Sequence, residues 1–559
     1  MNGNTSTTDM QISERLSHKP KLADQWKSID WKRVEGEVNR LQIRIAKAVK
    51  EKKWNAVKRL QYLLTHSYCA KLLAVRKVTT NNGKSTYGVD KEVWNTATRK
   101  MKAVQNLTEK RYKAKPLRRV YIEKKDKQTK RPLGIPTMYD RAMQALYALA
   151  LDPVAEGTAD NRSFGFRKGR SCQDACEQIF NSMSSRHSAR WVLEGDIKGC
   201  FDNINHEWLI GNVLMDKVVL KQFLKAGYVD KGELFPTQQG TPQGGIISPI
   251  LANMALDGME EMLSENFHVN GKGNADHDVR RRNKVNLVRY ADDFIVTANT
   301  KEIAEKAKVK IQEFLTIRGL QLSEEKTHIT HIDEGFDMLG WNFRKYKGKM
   351  IIKPSKKAIH TFLKAISETI LRRGQVWEQG LLIRKLNQQI QGWANYHQSV
   401  CASQAFSRID HLIHEMLWRW AKRRHPNKGR TWVVAKYWHH KGTRKWRFSI
   451  GNLELRKLTQ THIIRHKKVR MDANPYLDVD YFIERRFTQG MRKISRKFKQ
   501  VWENQRGHCD YCKMPIDITE EKQIFLKVPK RNGGTEEISN MVYIHKYCKA
   551  FCLERRAQA

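Results

Sequence analysis

This chain is short of acids. Its 559 residues carry 58 Asp and Glu against 104 Lys and Arg, a formal net charge of +46 at pH 7. So one-sided a charge repels itself in an uncomplexed protein, and a large polyanion is the partner that relieves it. A basic surface that only aids solubility is the plainer alternative. The excess is spread along the chain and interleaved with 15 Trp and 17 Tyr, as base stacking requires. Cysteine is sparse over the first 500 residues; Cys509, Cys512, Cys548 and Cys552 crowd the end. That excludes a disulfide scaffold and points to a reducing compartment and a metal site. No apolar run is long enough to span a bilayer, and residues 1–20 lack the apolar core of a secretory signal. The expected location is cytoplasmic, and the length suggests roughly three to five domains.

Two adjacent acids stand out against this deficit. Tyr290-Ala291-Asp292-Asp293 follows Val285-Asn286-Leu287-Val288-Arg289 and precedes Phe294-Ile295-Val296-Thr297. Apolar runs around two carboxylates read as strand, tight turn, strand. Like charges this close repel, and desolvating them is costly. Hard cations such as Mg²⁺ would neutralise them. A solvated Asp-Asp turn explains the tetrapeptide alone equally well.

An upstream acid changes the balance. Trp191-Val192-Leu193-Glu194-Gly195-Asp196 is a second apolar strand ending in Asp, followed by a turn and a helix from Asn205. Two-metal phosphoryl transfer takes carboxylates from separate strands, with metals roughly 3.5–4 Å apart. One metal activates an attacking 3′-hydroxyl; the other holds the triphosphate and the departing pyrophosphate. Asp196 and Asp292 are the expected bridging ligands, and Asp293 the third acid. Asp202 has the plainer reading of starting the next helix. Between the strands lies Gly240-Thr241-Pro242-Gln243-Gly244-Gly245-Ile246-Ile247-Ser248-Pro249. Its glycines admit close backbone approach, and Gln243 offers an amide to a ribose or base edge. A loop before the helix of Leu251 to Met262 is the simpler reading.

Elsewhere the pattern is coarser. Val34, Val38, Leu41, Ile45 and Val49, then Trp54, Val57, Leu60 and Leu64, follow helical spacing, with Lys and Arg on the other face. Val120 to Pro136 reads as a hairpin, and seven basic residues crowd Arg118 to Arg131. Ser163-Phe164-Gly165-Phe166-Arg167-Lys168-Gly169-Arg170-Ser171 suits a template backbone. Residues 268–283, with Arg280-Arg281-Arg282, read as an exposed hairpin insertion. Lys326, in Gly319-Leu320-Gln321-Leu322-Ser323-Glu324-Glu325-Lys326-Thr327, has two readings: a proton donor to pyrophosphate, or an ordinary surface lysine. Phe336 to Phe343 reads as a closing hairpin. Three helical faces follow: Ala358, Phe362, Ala365 and Ile366; Leu386, Ile390, Trp393 and Tyr396; Leu412, Met416 and Trp420. Residues 429–500 mix Trp432, Tyr437, Trp438 and Trp446 with many cations.

The ordered set of basic finger strand, Ser-Phe-Gly-Phe-Arg loop, DIKGCFDNI, GTPQGGIISP, YADD, GLQLSEEKT and FDMLGWNF resembles the group II intron-encoded reverse transcriptase/maturase family. The resemblance runs from about Trp31 to the C-terminus, and Gln391-Gly392-Trp393-Ala394-Asn395-Tyr396-His397 belongs to it. It implies an α+β multidomain fold with right-hand-like fingers and palm. The expected divisions are 1–27, a disordered tail; 28–115, a helical N-terminal extension and the start of the fingers; and 116–350, fingers and palm. A three-helix thumb (maturase domain X) at 351–428, a basic DNA-binding region at 429–500 and an HNH-like zinc module at 501–559 complete them. The resemblance implies a backbone carbonyl near Ile197 as a further Mg²⁺ ligand, and Lys124 and Arg131 as phosphate contacts. It also implies that Phe201 crowds a ribose 2′-hydroxyl and so selects dNTPs. The implied partners are intron RNA, target DNA and dNTPs. The implied activity is RNA-directed DNA synthesis with assistance to splicing and reverse splicing. A splicing cofactor with a vestigial polymerase is the alternative, against which the intact Asp196, Gln243 and Asp292-Asp293 set speaks. An RNA-dependent RNA polymerase would incorporate rNTPs readily.

Cys509-Asp510-Tyr511-Cys512 and His545-Lys546-Tyr547-Cys548 have zinc-ligand spacing, and thiolates with an imidazole suit tetrahedral Zn²⁺. With Arg531-Asn532-Gly533-Gly534 and Asn540 between them, the module resembles an HNH endonuclease. The family places a His-His pair where this chain has Phe525-Leu526, and a metal-binding His where it has Lys549. Phe and Leu are neither bases nor ligands, so the expectation is a surviving zinc fold without nuclease chemistry. Cys552 reads as a small buried hydrophobe.

Overall fold

The computed structural model describes residues 22–123, 130–242, 244–441, 444–491, 496–513, 516, 522–545, 548–549 and 552–553. The chain divides into two compact units: residues 1–171, 189–329 and 470–477, and residues 172–188, 330–469 and 478–559. Among the described residues no helix is long and apolar enough to cross a membrane.

The first unit begins with helices. The expected pair is present as Trp31–Lys50 and Trp54–His66, burying Val34, Val38, Ile45 and Val49, then Val57, Leu60 and Leu64. Trp54 departs from the expected face and is exposed, because it opens its helix at the surface. The expected tail also needs correcting. Leu22–Lys27 is a helix, and Trp26 meets Trp31 edge-on at 5.2 Å, which ties it to the core. Residues 1–21 lie outside the described set. Helix Met138–Thr158 runs almost wholly buried through the same core. The Gln42 amide donates to the Leu149 carbonyl at 2.8 Å, so the buried polar group is satisfied.

The strands of this unit are β1 (Leu117–Glu123), β2 (Lys130–Ile135), β3 (Trp191–Gly195), β4 (Tyr228–Asp230), β5 (Glu233–Phe235), β6 (Asn286–Tyr290) and β7 (Asp293–Ala298). β8 (His328–His331) lies at its boundary. One sheet has the order β2-β1-β4-β5, the other β6-β7-β3-β8. Pro132 sits in β2, an edge strand, where proline is tolerated. The predicted basic hairpin is β1–β2, antiparallel from Arg118↔Ile135 to Glu123↔Lys130. The turn between them, with Lys124, lies outside the described residues. In the insertion, Val269 bridges Ala275, but Arg280, Arg281 and Arg282 lie in the helix His277–Asn283.

In the second unit, β9 (Phe336–Met338), β10 (Trp341–Tyr346) and β11 (Lys349–Pro354) form a sheet of order β11-β10-β9. Buried Trp341 stacks on Tyr396 at 4.6 Å and 5°, and the Tyr396 hydroxyl donates to the Leu339 carbonyl at 2.7 Å. Residues 330–350, expected in the palm, fall in the same unit as the three helices expected to form the thumb. Those helices are Lys356–Leu371, Gln379–His397 and Ser403–Arg424. Trp393 stacks on Phe362 at 4.8 Å, so the Trp393 and Tyr396 rings are helix-packing residues. Ala365, assigned inward by spacing, is exposed; Phe362, Ile366 and Ile370 carry that face. Beyond them, β12 (Trp438–Lys441), β13 (Arg444–Ile450) and β14 (Leu453–Glu454) form an antiparallel sheet. β15 (Lys522–Leu526) and β16 (Met541–His545) form the last hairpin.

Candidate active site

Register brings the acids together. β3 pairs antiparallel with β7 from Trp191↔Ala298 to Gly195↔Phe294, so one further step sets Asp196 opposite Asp293. Gly195 is required there, because a Cβ would run into the Phe294 ring. β6 and β7 pair through Tyr290↔Asp293, leaving Ala291 and Asp292 as a two-residue turn with Ala291 at φ +59°.

The turn is braced from behind by residues the sequence reading missed. Arg289 is fully buried; its guanidinium pairs with Asp257, lies 3.9 Å from Asp160, and donates to the Asn253 side chain at 3.3 Å and the Ala291 carbonyl at 3.4 Å. Burial pushes the Asp257 carboxyl up, and Arg289 opposes that shift. The Phe164 amide donates to the Arg289 carbonyl, and the Arg289 amide to the Arg162 carbonyl, each at 2.9 Å. Gly165 lies so close that a Cβ would collide with the Ala291 nitrogen. The Ser-Phe-Gly-Phe-Arg loop is thus first a clamp on the YADD turn. Its arginines turn inward: Arg167 holds Glu156 at 2.6 and 2.9 Å, and Arg170 is buried 3.6 Å from the same acid. An arginine inside a strand gives no sequence signal of burial; the small Gly165 and the buried-strand context of Arg289 were the only clues.

Electrostatics at the cluster favour a cation. Partial desolvation raises Asp293 up to about 6, followed by the like charges of Asp292 and Asp196. Desolvation also raises Asp292, with Asp196 adding to it and the charges of Arg131 and Lys326 opposing. Lys326 donates from Nζ to the Asp196 carboxylate at 2.9 Å, which raises the lysine. The Lys326 side chain remains largely exposed, so the contact places its ammonium beside the acids and leaves both readings of the lysine standing. Exposed Arg131 on β2 is brought within electrostatic reach. The Ile197 side chain is buried and apolar and so offers no ligand, leaving its backbone carbonyl, at a β-bridge to Leu322, as the group that could.

Phe201 lies in a short helix, Cys200–Asn203, between Asp196 and the predicted helix, which starts at His206 with Asn205 as its cap. Asp202 is exposed in that short helix. Phe201 meets the exposed Phe166 ring edge-on at 6.2 Å. Its carbonyl accepts from the Thr241 amide at 2.6 Å, which fastens the glycine-rich loop beside it. The Gln144 side chain accepts from the Ile246 amide at 2.9 Å at the loop's other end. Gln243 lies outside the described residues.

The terminal cysteines also converge. The ligand atoms of Cys509, Cys512, His545 and Cys548 all lie within 4.8 Å of one another. His545 Nδ1 is 3.3 Å from Cys512 Sγ and 3.8 Å from Cys548 Sγ. Tetrahedral bonds of about 2.3 Å to sulfur and 2.1 Å to nitrogen place such atoms about 3.6 Å apart, so the set fits Zn²⁺. Desolvation raises the Cys509 thiol, but backbone amides of Cys512, His545 and Tyr511 outweigh it and bring it to about 7, near the thiolate form a metal binds. Phe525 and Leu526 pair with Val542 and Met541 and pack on the module's core, while Lys549 is exposed. The Asn540 side chain accepts from the Val528 amide at 2.7 Å and donates to Thr535 and Val528 carbonyls at 2.7 and 3.0 Å, so it braces a turn. Cys552 is half-buried against the same core.

Known families match in the same places. Residues 122–343 match the reverse transcriptase (RNA-dependent DNA polymerase) family, and residues 26–107 the N-terminal domain of reverse transcriptase. Residues 359–438 match the group II intron maturase-specific domain, and residues 509–549 the HNH endonuclease family. The group II intron-encoded protein LtrA of Lactococcus lactis subsp. cremoris is 33% identical over 341 residues, 51% of this chain and 56% of that protein. Protein YkfC of Escherichia coli K12 is 32% identical over 259 residues, 41% of this chain and 67% of that protein. A 91 kDa protein in a cob intron of Schizosaccharomyces pombe is 32% identical over 315 residues, 46% of this chain and 38% of that protein. The chain therefore spans little more than half the length of the Lactococcus relative.

Proposed function

The chain belongs to the group II intron-encoded reverse transcriptase family, and on that premise we propose that it copies intron RNA into DNA and assists that intron's splicing. The observation that carries this reading is the meeting of Asp196, Asp292 and Asp293 on paired strand ends, with Lys326 and Arg131 as the nearby cations.

The carboxylates fit two hard cations: they are like-charged, desolvation and neighbouring charge raise Asp292 and Asp293, and one lysine only partly neutralises the set. Asp196, Asp292 and the Ile197 carbonyl would hold Mg²⁺, with Asp293 as the adjoining acid. Bound Mg²⁺ would acidify a primer 3′-hydroxyl and neutralise the triphosphate. The protein's own part is positional. Arg131 would hold phosphate oxygens, with Lys124 and Gln243 assigned beside it as further dNTP contacts. Lys326, freed from Asp196, would donate a proton to the leaving pyrophosphate. Phe201, with Phe166 behind it, would crowd a 2′-hydroxyl and so favour dNTPs.

The helical N-terminal extension (28–115) and the thumb (351–428) would grip structured intron RNA and stabilise its splicing-competent fold. The same complex would carry intron RNA to a DNA target for reverse splicing. Zn²⁺ would hold the last module together through Cys509, Cys512, His545 and Cys548. That module lacks the His-His pair at Phe525-Leu526 and the metal-binding histidine at Lys549, so second-strand nicking would be absent.

Primer extension tests the reading. Purified chain with Mg²⁺, an RNA template and an annealed DNA primer should incorporate dNTPs and discriminate against rNTPs. Substituting Phe201→Val should loosen that discrimination. Ready rNTP use by the unsubstituted chain would favour an RNA polymerase instead.

A further inference from the structure

A cavity of about 620 Å³ lies between the thumb helix Ser403–Arg424 and the β12–β13 hairpin, walled chiefly by Trp418, Trp438, Trp446, His414, Arg419 and Arg430. Buried Trp438 forms its floor. The Trp418 ring is 5.7 Å from Trp438, and His414 lies edge-on to Trp438 at 5.6 Å. Arg430 lies over the Trp418 ring at 5.5 Å.

The hairpin is bent to complete this wall. β12 and β13 pair at His439↔Arg447 and next at Lys441↔Arg444, so His440 alone opposes Lys445 and Trp446. Trp446, at that bulge, has φ +56° and remains 54% exposed. A left-handed backbone is unfavourable for a bulky aromatic, and bulges re-aim side chains. Such strain held in a packed domain is a pointer to function.

The cations are available. Among the described residues, Arg419 has no ion pair and Arg430 has only its ring contact. The cavity's acid, Glu415, is paired with His411 at 3.2 Å. Indole faces with two unpaired guanidiniums match a base and its phosphate. An apolar ligand would leave the arginines unused, and an acidic peptide would leave the indoles unused. A paired base cannot expose its face to them.

We propose that this cavity captures one unpaired nucleotide, its base stacked against Trp446 and Trp418 above the buried Trp438 and its phosphate held by Arg430 and Arg419. The proposal rests on the nucleic-acid-binding reading above and names a subsite within it. The nucleotide is a bulged position of structured RNA or a displaced position of a DNA strand; the chemistry recognised is the same.

The test uses the full chain and four hairpin probes. In RNA and in DNA, one hairpin carries a single bulged 2-aminopurine and its partner carries the same base paired. The bulged probe should bind about 5- to 100-fold more tightly than the paired one, from the known range for stacking one base, and its emission should change on binding. Trp446→Ala and Arg430→Ala, both at exposed positions, should each abolish the preference, and Trp446→Phe should retain it. A preference confined to RNA assigns the site to RNA, one confined to DNA assigns it to a DNA strand, and one in both means the 2′-hydroxyl is not read. Equal binding of bulged and paired probes overturns the proposal, as does a preference that survives both alanine variants. Failure to bind any of the four probes would overturn the nucleic-acid reading itself.

Discussion

The ammonium of Lys326 lies 2.9 Å from the Asp196 carboxylate, and its charge also bears on Asp293 and Asp292. On the proposed two-metal reading the lysine occupies a place where a cation would bind, and metal binding would release it. Released, it is free to protonate a leaving group. Lys326→Ala is expected to lower single-turnover dNTP addition by about 10²- to 10³-fold, the usual worth of a positioned general acid. Lys326→Arg should keep the charge and recover only a small part of the rate, since guanidinium donates its proton reluctantly.

A pH signature follows from Asp293. Its folded pKa of about 6 lies above the usual carboxylate value near 3.9. Between these values the folded chain keeps a proton the unfolded chain has released. This contribution is therefore full at low pH and is lost as pH rises through about 4 to 6. Metal-free wild type should lose stability over that window relative to Asp293→Asn, and Mg²⁺ should reduce the loss. Thermal unfolding of both proteins at pH 4.5 and 7.5, with and without Mg²⁺, measures it.

Much of this site was legible because adjacent acids at strand ends leave a local trace. The YADD turn, the Asp196 strand and the β1–β2 hairpin each followed from alternation and turn residues. What lay behind them did not. Arg289 reads as an ordinary strand cation, yet it is buried against Asp257 and Asp160, partners 32 and 129 positions away in the chain. Arg167 and Arg170 read as template contacts but close on Glu156, because a buried acid on the preceding helix, 11 and 14 positions upstream, decides their direction. Trp446 carries its information in a bulge and a backbone angle, which composition does not encode.

The Arg289–Asp257 pair gives a stability prediction. Asp257→Ala leaves a fully buried guanidinium with Asp160 at 3.9 Å as its remaining acid. The expected cost is about 3 kcal/mol or more. Chemical denaturation followed by tryptophan fluorescence checks it. The YADD turn should loosen too, raising the Mg²⁺ concentration needed for activity.

Zinc should be countable. Metal analysis of the full chain is expected to find about one Zn²⁺ per molecule, as four ligands make one site. Cys512→Ser should lower that occupancy sharply while leaving primer extension intact. With target DNA and Mg²⁺ or Mn²⁺, the complex should not nick the strand opposite the intron insertion; protein-dependent nicking there would reinstate the nuclease.

The most direct test replaces Asp292 and Asp293 together with Ala and measures primer extension on an RNA template beside binding of the same RNA. The account predicts that extension vanishes while RNA binding persists. Unchanged extension would contradict the assignment of these acids as the polymerase centre.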